Sequence, residues 1–359
     1  MALTPQTNIS LEELAEKLLQ LDDFIICGHE NPDPDCIGSQ LALAHALKQR
    51  GKSVRCVLAK SDPLPSRLSF LPEADCMIPA CEVEGEYDVF VGVDVPNRQR
   101  MGEQASALRN RAAFSFTIDH HACDEPMCDF VYCDSAAAAT ALIIWRLAGL
   151  LGVSREGHLA QACYTGLVGD TGGFRYQNTD VHSFELAAEM VRSGANPADT
   201  SLHLFQSRTP QALGLEGLAL SRMRTGAGGA YAISWLTWED FRRLNAAKSD
   251  SDGIIDTLRS LDGVRVAALL RESDTALRGS LRSKDAFDVS VLANGWNGGG
   301  HAGAAGFTLH GCLADELAVV DAGFAQALSP GAPQLAFAAS DYEQVRQLQR
   351  IPVEKDGTE

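Results

Sequence analysis

One imidazole and two aspartates fall within seven residues in Gly28-His29-Glu30-Asn31-Pro32-Asp33-Pro34-Asp35-Cys36-Ile37-Gly38-Ser39. Two prolines stiffen the stretch, and such a donor set suits a divalent metal. The competing reading is a polar turn at a helix N-terminus, where carboxylates are favoured anyway. Three more groups share this chemistry: Asp94, Asp119-His120-His121, and Asp170 inside Gly169-Asp170-Thr171-Gly172-Gly173. Mixed carboxylate and imidazole ligands fit a hard or borderline ion such as manganese. Two ions can share a bridging carboxylate, and the isolated Asp94 is the natural bridge. Adjacent side chains leave an extended strand on opposite sides, so one of His120 and His121 is expected at a given metal. The other would face substrate or pack. A fifth feature is the glycine-rich run Gly298-Gly299-Gly300-His301-Ala302-Gly303-Ala304-Ala305-Gly306. Glycines let a backbone approach an anion closely.

The surrounding pattern places these groups. The apolar run at 24–27 reads as a buried strand leading into the first motif, and an Ala-rich helix follows from Ile37 to Leu47. Strands are expected near 53–59, 88–93, 114–118 and 130–133, with helices near 10–20, 100–109, 136–151, 159–168 and 179–192. Asp94 and Asp119 then follow strands, and Asp170 follows a helix. Alternating strands and helices imply an α/β fold with a doubly wound, mainly parallel sheet. Such sheets bind ligands beyond the carboxyl ends of their strands. Residues 1–195 form the expected catalytic domain and 196–228 a helical linker, with no new strand before Tyr231. A smaller α/β domain is expected over 229–330. It has strands near 230–236, 264–271, 276–282 and 307–309, and helices at 237–244, 253–261 and 313–328. Residues 331–359 read as a polar tail.

The net charge of −17 disfavours a grip on long duplex nucleic acid and favours short or small phosphate partners. No apolar run approaches membrane-spanning length, and the N-terminus shows no secretory signal, so a cytoplasmic protein without a membrane partner is expected. The ten cysteines form no Cys-x-x-Cys pair, which argues against a zinc knuckle. A homodimer is compatible with all of this.

These motifs resemble those of the DHH phosphoesterase family, whose signature stands here as Asp119-His120-His121. His29-Glu30-Asn31-Pro32-Asp33-Pro34-Asp35 is similar to the family's first motif, Val93-Asp94 to its second and Gly169-Asp170-Thr171-Gly172 to its fourth. The Gly298–Gly306 run resembles the DHH-associated substrate domain, and order and spacing agree from about residue 24 to residue 310. Length and the Gly-Gly-Gly-His sequence look most like the nanoRNase and pAp-phosphatase branch. The resemblance implies two divalent ions, most often Mn²⁺, with Mg²⁺ or Co²⁺ as alternatives. His29, Asp33 and Asp94 would hold one; Asp35, Asp94, His120 and Asp170 the other. Asp119 would orient a histidine, and His121 would meet the scissile phosphate or the leaving oxygen. A metal-bridging hydroxide would attack phosphorus. Arg282, Ser283, Gly298, Gly299, Gly300 and His301 would grip substrate across a cleft between the domains. Phe174 and Arg175 could stack on or clamp a base, or be ordinary core and surface residues. The implied substrates are short oligonucleotides, 3′-phosphoadenosine 5′-phosphate (pAp), or both. A cyclic- or linear-dinucleotide phosphodiesterase and an inactive nucleotide sensor are the alternatives. Two departures stand out: Pro34 where family members often carry glycine, and Ala302 where a polar or basic residue is common.

Overall fold

The computed structural model describes residues 3–122, 126–273, 276–300 and 302–328. His301 and the tail 331–359 lie outside the described residues. The chain divides into two compact units, Met1–Ser207 and Arg208–Glu359.

The first unit is a parallel sheet covered on both faces. Its strands are β1 (Phe24–Cys27), β2 (Val54–Leu58), β3 (Ile78–Pro79), β4 (Val89–Val93), β5 (Phe114–Asp119) and β6 (Phe130–Cys133). Their spatial order is β3-β2-β1-β4-β5-β6, with every pairing parallel. The order reverses between β1 and β4, and such a switch point opens a crevice at the strands' carboxyl ends. The helices are α1 (Leu11–Gln20), α2 (Pro34–Gln49), α3 (Arg98–Arg111), α4 (Thr140–Leu150), α5 (His158–Asp170), α6 (Val181–Arg192) and α7 (Pro197–Phe205).

Strand alternation sorts the core. Phe24 and Ile26 of β1 face a cluster shared with α1, α2, α4, α5 and α6, while Ile25 and Cys27 face α3. A sheet apolar on both faces must be covered on both. The helix α2 is buried on nearly every side, which explains its unbroken apolar, Ala-rich sequence. It runs antiparallel to α5 at close range. A Cβ on Gly38 would come within 2.4 Å of the Ala162 carbonyl oxygen, so only glycine permits this approach.

In the second unit, α8 (Pro210–Arg222) precedes β7 (Arg224–Gly226), β8 (Tyr231–Leu236), α9 (Trp238–Leu244), α10 (Ile254–Ser260), β9 (Val266–Glu272) and β10 (Leu277–Ser283). Then come α11 (Val289–Gly295), β11 (Gly299–Gly300), β12 (Ala304–Leu309) and α12 (Leu313–Ala327). The sheet order is β11-β12-β10-β9-β8-β7, parallel only at β8–β9. One face packs on α11 and α12, the other on α8, α9 and α10.

The sequence expectations need five corrections, the first being the edge strand β3, which no expected strand covers. A strand precedes Tyr231, because β7 pairs with β8 along the sheet edge. The helix expected from residue 136 starts at Thr140, since Ala139 is extended (φ −160°, ψ 151°). The helix α11 was not anticipated. The glycine run is partly strand: Gly299 and Gly300 pair with Gly306 and Ala305.

Candidate metal centre

The loops after β1, β4 and β5 leave the sheet side by side at its switch point. The first carries His29 and ends in Asp33, which caps α2. Its Oδ1 accepts from the backbone N–H groups of Asp35 (3.1 Å) and Cys36 (3.0 Å). Its Oδ2 stays free of the cap and lies 3.4 Å from His29 Nε2. The capping and metal readings of this loop are therefore compatible, one oxygen serving each.

Asp94 occupies the centre. It is 1% exposed and sits in the left-handed region (φ 56°), where aspartate is one of the few tolerated residues. Its two oxygens face different partners. Oδ2 lies 3.4 Å from His29 Nε2, while Oδ1 lies 3.7 Å from His120 Nε2 and 3.5 Å from His121 Nδ1. Thr140 Oγ1 donates to Oδ1 at 3.0 Å.

Asp35 is fully buried and caps a second helix. Its oxygens accept from the Thr140 N–H (2.6 Å), the Ala141 N–H (2.9 Å) and the Ser39 hydroxyl (3.0 Å). That is why α4 begins at Thr140. A ligand atom each of Asp35, His120 and Asp170 fall within 4.8 Å of one another. His120 Nε2 is 3.1 Å from Asp170 Oδ2, and its Nδ1 lies 3.1 Å from the Ala137 carbonyl. Asp170 belongs to the last turn of α5, not to the loop after it.

Asp119 is buried beneath both histidines. Its Oδ1 accepts from the backbone N–H of His120 (2.7 Å) and of His121 (3.1 Å), and lies 2.8 Å from His121 Nδ1. The two rings do not diverge as strand alternation predicts. Their centroids are 4.4 Å apart, and both stand close to Asp94. The reason is local: β5 ends at Asp119, so His120 and His121 lie in a loop where alternation no longer applies.

Electrostatics mark the cluster as short of positive charge. Burial pushes the Asp35 carboxyl well above the usual carboxylate range, and Asp94 and Asp170 add to it. Asp170 is raised by burial as well, against the pull of His120. Burial opposes a charged His29 ring, yet Asp33 and Asp94 outweigh it and raise the group to about 10. His120 rises for the same reason, with Asp170 as its main partner. Neither buried ring nitrogen of His29 has a hydrogen-bond partner. An unpartnered imidazole among crowded carboxylates fits a divalent cation.

The other expected residues have local partners of their own. Arg175 Nε donates to the Gly172 carbonyl (2.5 Å), and its guanidinium lies over Phe205. Phe174 stacks on Phe184. In the second unit, Arg282 projects from β10 and donates to the Leu281 carbonyl at 3.0 Å. The Ser283 hydroxyl donates to the Asp285 carbonyl at 3.0 Å. Gly298 is required by packing, since a Cβ there would meet the Gly306 carbonyl oxygen at 2.1 Å.

Thr140 was missed by sequence reasoning. Its signal was faint, a threonine after four alanines that suggested the helix interior. Gly166 was missed too: a Cβ there would press on Asp35 Oδ1 at 2.7 Å.

Residues 23–167 match the DHH family, N-terminal domain, and residues 228–326 match the DHHA1 domain. A bifunctional oligoribonuclease and PAP phosphatase NrnA of Thermus thermophilus is 32% identical over 81% of this chain and 85% of its own. The protein of that name from Bacillus subtilis is 27% identical over 83% of this chain and 93% of its own. An exopolyphosphatase-related protein from Bacteroides fragilis has a similar structure, with a TM-score of 0.80, 25% identity, and coverage of 89% of this chain and 96% of that one. With these aspartates and histidines gathered at the switch point of a parallel sheet and both domains matched in order, this chain belongs to the DHH family.

Proposed function

We propose that this chain hydrolyses short oligonucleotides and pAp, using two divalent ions held in its first unit. It is a hydrolase of phosphoester bonds, as its family membership and its relatives indicate. The single observation that carries the two-ion reading is the pose of Asp94. One oxygen faces His29 and the other faces His120, as a bridging carboxylate requires. His29, Asp33 and Asp94 would hold one ion; Asp35, Asp94, His120 and Asp170 the other. Manganese is the metal this oxygen-rich, imidazole-containing set suits best. Bound there, the ions would supply Lewis acidity and a water of lowered pKa.

The chain's own residues do the rest. Asp119 accepts from His121 Nδ1–H and so orients the ring; once the imidazole has also taken a proton on Nε2, that Nε2–H would donate it to the leaving oxygen. Asp119 is thus a positioning residue. Thr140 and the first N–H groups of α4 hold Asp94 and Asp35 in place. In the second unit, Arg282 is suited to bidentate phosphate contact. Gly298, Gly299 and Gly300 would let the backbone approach an anion, with His301 beside them. We assign the metal-binding role to residues 1–195 and substrate grip to residues 229–330. The net charge of −17 favours small phosphate substrates over extended strands.

The test is one manganese-dependent panel of pAp, di- to pentanucleotides labelled at either end, cyclic di-AMP, cyclic di-GMP and pyrophosphate. Turnover of pAp and the shortest oligonucleotides, abolished by Asp94→Ala, is the expected result. Exclusive turnover of pyrophosphate would reject the substrate assignment, and turnover surviving Asp94→Ala would reject the metal centre.

A further inference from the structure

Among the described residues, a separate group of metal-ligating side chains converges at the opposite end of the α2–α5 pair. His45 projects from the later turns of α2, and His158 is the first residue of α5. Glu73 comes from the segment between β2 and β3, in a left-handed conformation (φ 65°). One ligand atom from each lies within 4.8 Å of the others. The two imidazole rings stand 5.4 Å apart, centroid to centroid, at 53°. Neither ring has a hydrogen-bond partner among the described residues. Glu73 has one competitor: its Oε2 pairs with Lys48 Nζ at 2.5 Å. Its other oxygen is outside that pair.

The ordinary alternative is two surface histidines beside an ion pair. Against it stands the convergence of three separate chain segments, each offering a ligand atom and two of them ligands with no other partner. His45 and Glu73 are half-buried and His158 is exposed, so one side stays open to solvent. Two imidazoles, one carboxylate and an open position form a three-residue zinc set completed by water. Imidazole favours zinc over magnesium or calcium.

We propose that His45, Glu73 and His158 bind a zinc ion that ties the far ends of α2 and α5 together. The site is distinct from the catalytic cluster. His45 lies ten residues beyond Asp35 on α2, which is about 15 Å along the helix axis. The same two helices carry Asp33, Asp35 and Asp170 at their other ends, so the zinc would brace the frame that holds those carboxylates. Lys48 would limit the affinity by holding Glu73.

The test compares full-length wild type with His45→Gln/His158→Gln after metal removal. Equilibrium dialysis against zinc is expected to leave the wild type with one more equivalent than the variant. Cobalt titration is expected to give an intense four-coordinate visible spectrum that the variant lacks. Zinc should raise the melting temperature of the wild type more than that of the variant, and Lys48→Met should tighten zinc binding several-fold. Manganese-dependent turnover of the variant, expected to be retained, shows that it is folded. Equal zinc stoichiometry and equal cobalt spectra in the two proteins would overturn the proposal. Crystals of zinc-loaded wild type provide a check that needs no variant: an anomalous peak among the three residues is expected, and its absence also overturns it.

Discussion

Gly166→Ala is a sensitive probe of the metal frame because it adds one methyl group and removes nothing. Gly166 lies within α5, where alanine is favoured over glycine by about 1 kcal/mol. Were propensity the only term, the substitution would stabilise. The added Cβ, however, would sit 2.7 Å from Asp35 Oδ1, 2.8 Å from Ala141 Cβ and 3.3 Å from Asp35 Cα. All three atoms belong to buried parts that cannot swing away. Overpacking of this kind costs roughly 1–3 kcal/mol. Displacing Asp35 also weakens its bonds to Thr140 N and Ala141 N, and a typical hydrogen bond is worth roughly 0.5–1.5 kcal/mol. The net expectation is destabilisation by about 1–3 kcal/mol, with manganese half-saturation shifted upward about tenfold. Gly217→Ala is the control. Gly217 is in α8, and a Cβ there would meet nothing within 4 Å. That substitution should stabilise by up to about 1 kcal/mol and leave metal dependence unchanged. Urea unfolding and a manganese titration of hydrolysis measure both effects. If the two variants behave alike, Asp35 is not held by the close α2–α5 contact and the reasoning fails.

Two other outcomes follow from the geometry. Asp119→Asn should lower kcat about 10–100-fold while KM and manganese half-saturation stay near wild type, because the carboxylate acts through His121; an unchanged kcat would remove Asp119 from catalysis. Asp240 in the second unit pairs with Arg222, which holds its carboxyl at about 2 in spite of partial burial, and the Thr237 N–H and hydroxyl assist. A carboxyl depressed on folding stabilises above its unfolded pKa, and the benefit fades as pH falls through the folded value. From an ordinary 3.8, this is worth about 2 kcal/mol. Asp240→Asn should therefore be less stable than wild type at pH 5–7, with a gap that closes between about pH 4 and pH 2. A gap independent of pH would exclude the ion pair as its source.

The parallel sheet was legible because its strands are short apolar runs, each followed by a turn. Most of the proposed ligands were legible because they stand in the loops after such runs, where a parallel sheet opens its crevice; Asp170 instead ends a helix. What escaped notice depends on contacts between distant segments. Asp35 sets the start of α4 across more than a hundred residues, so the stretch Ala136–Ala139, helical by composition, is left as a turn that ends in an extended Ala139. Gly166 looks like a mild defect in a helix until Asp35 is placed against it. The short α11 was hidden because it spans only seven residues after its cap Asp288 and carries little periodicity of its own. His120 and His121 were read as divergent since the strand rule was carried one residue too far.

Pro34 shows how such distant contacts organise the site. It occupies the first position of α2, where its fixed φ and missing N–H cost nothing. Its ring also covers Gly169, where a Cβ would come within 2.5 Å of Pro34 Cβ. The residue after Gly169 is Asp170, and the residues flanking Pro34 are Asp33 and Asp35. The proline therefore sets the separation of the α2 N-terminus from the α5 C-terminus, and with it the spacing of three carboxylates. A glycine at position 34 would leave that spacing to the loop. Pro34 and Gly169 act as one complementary pair, stiff on one helix and bare on the other. Pro34 thus sits between two proposed ligands without replacing either of them.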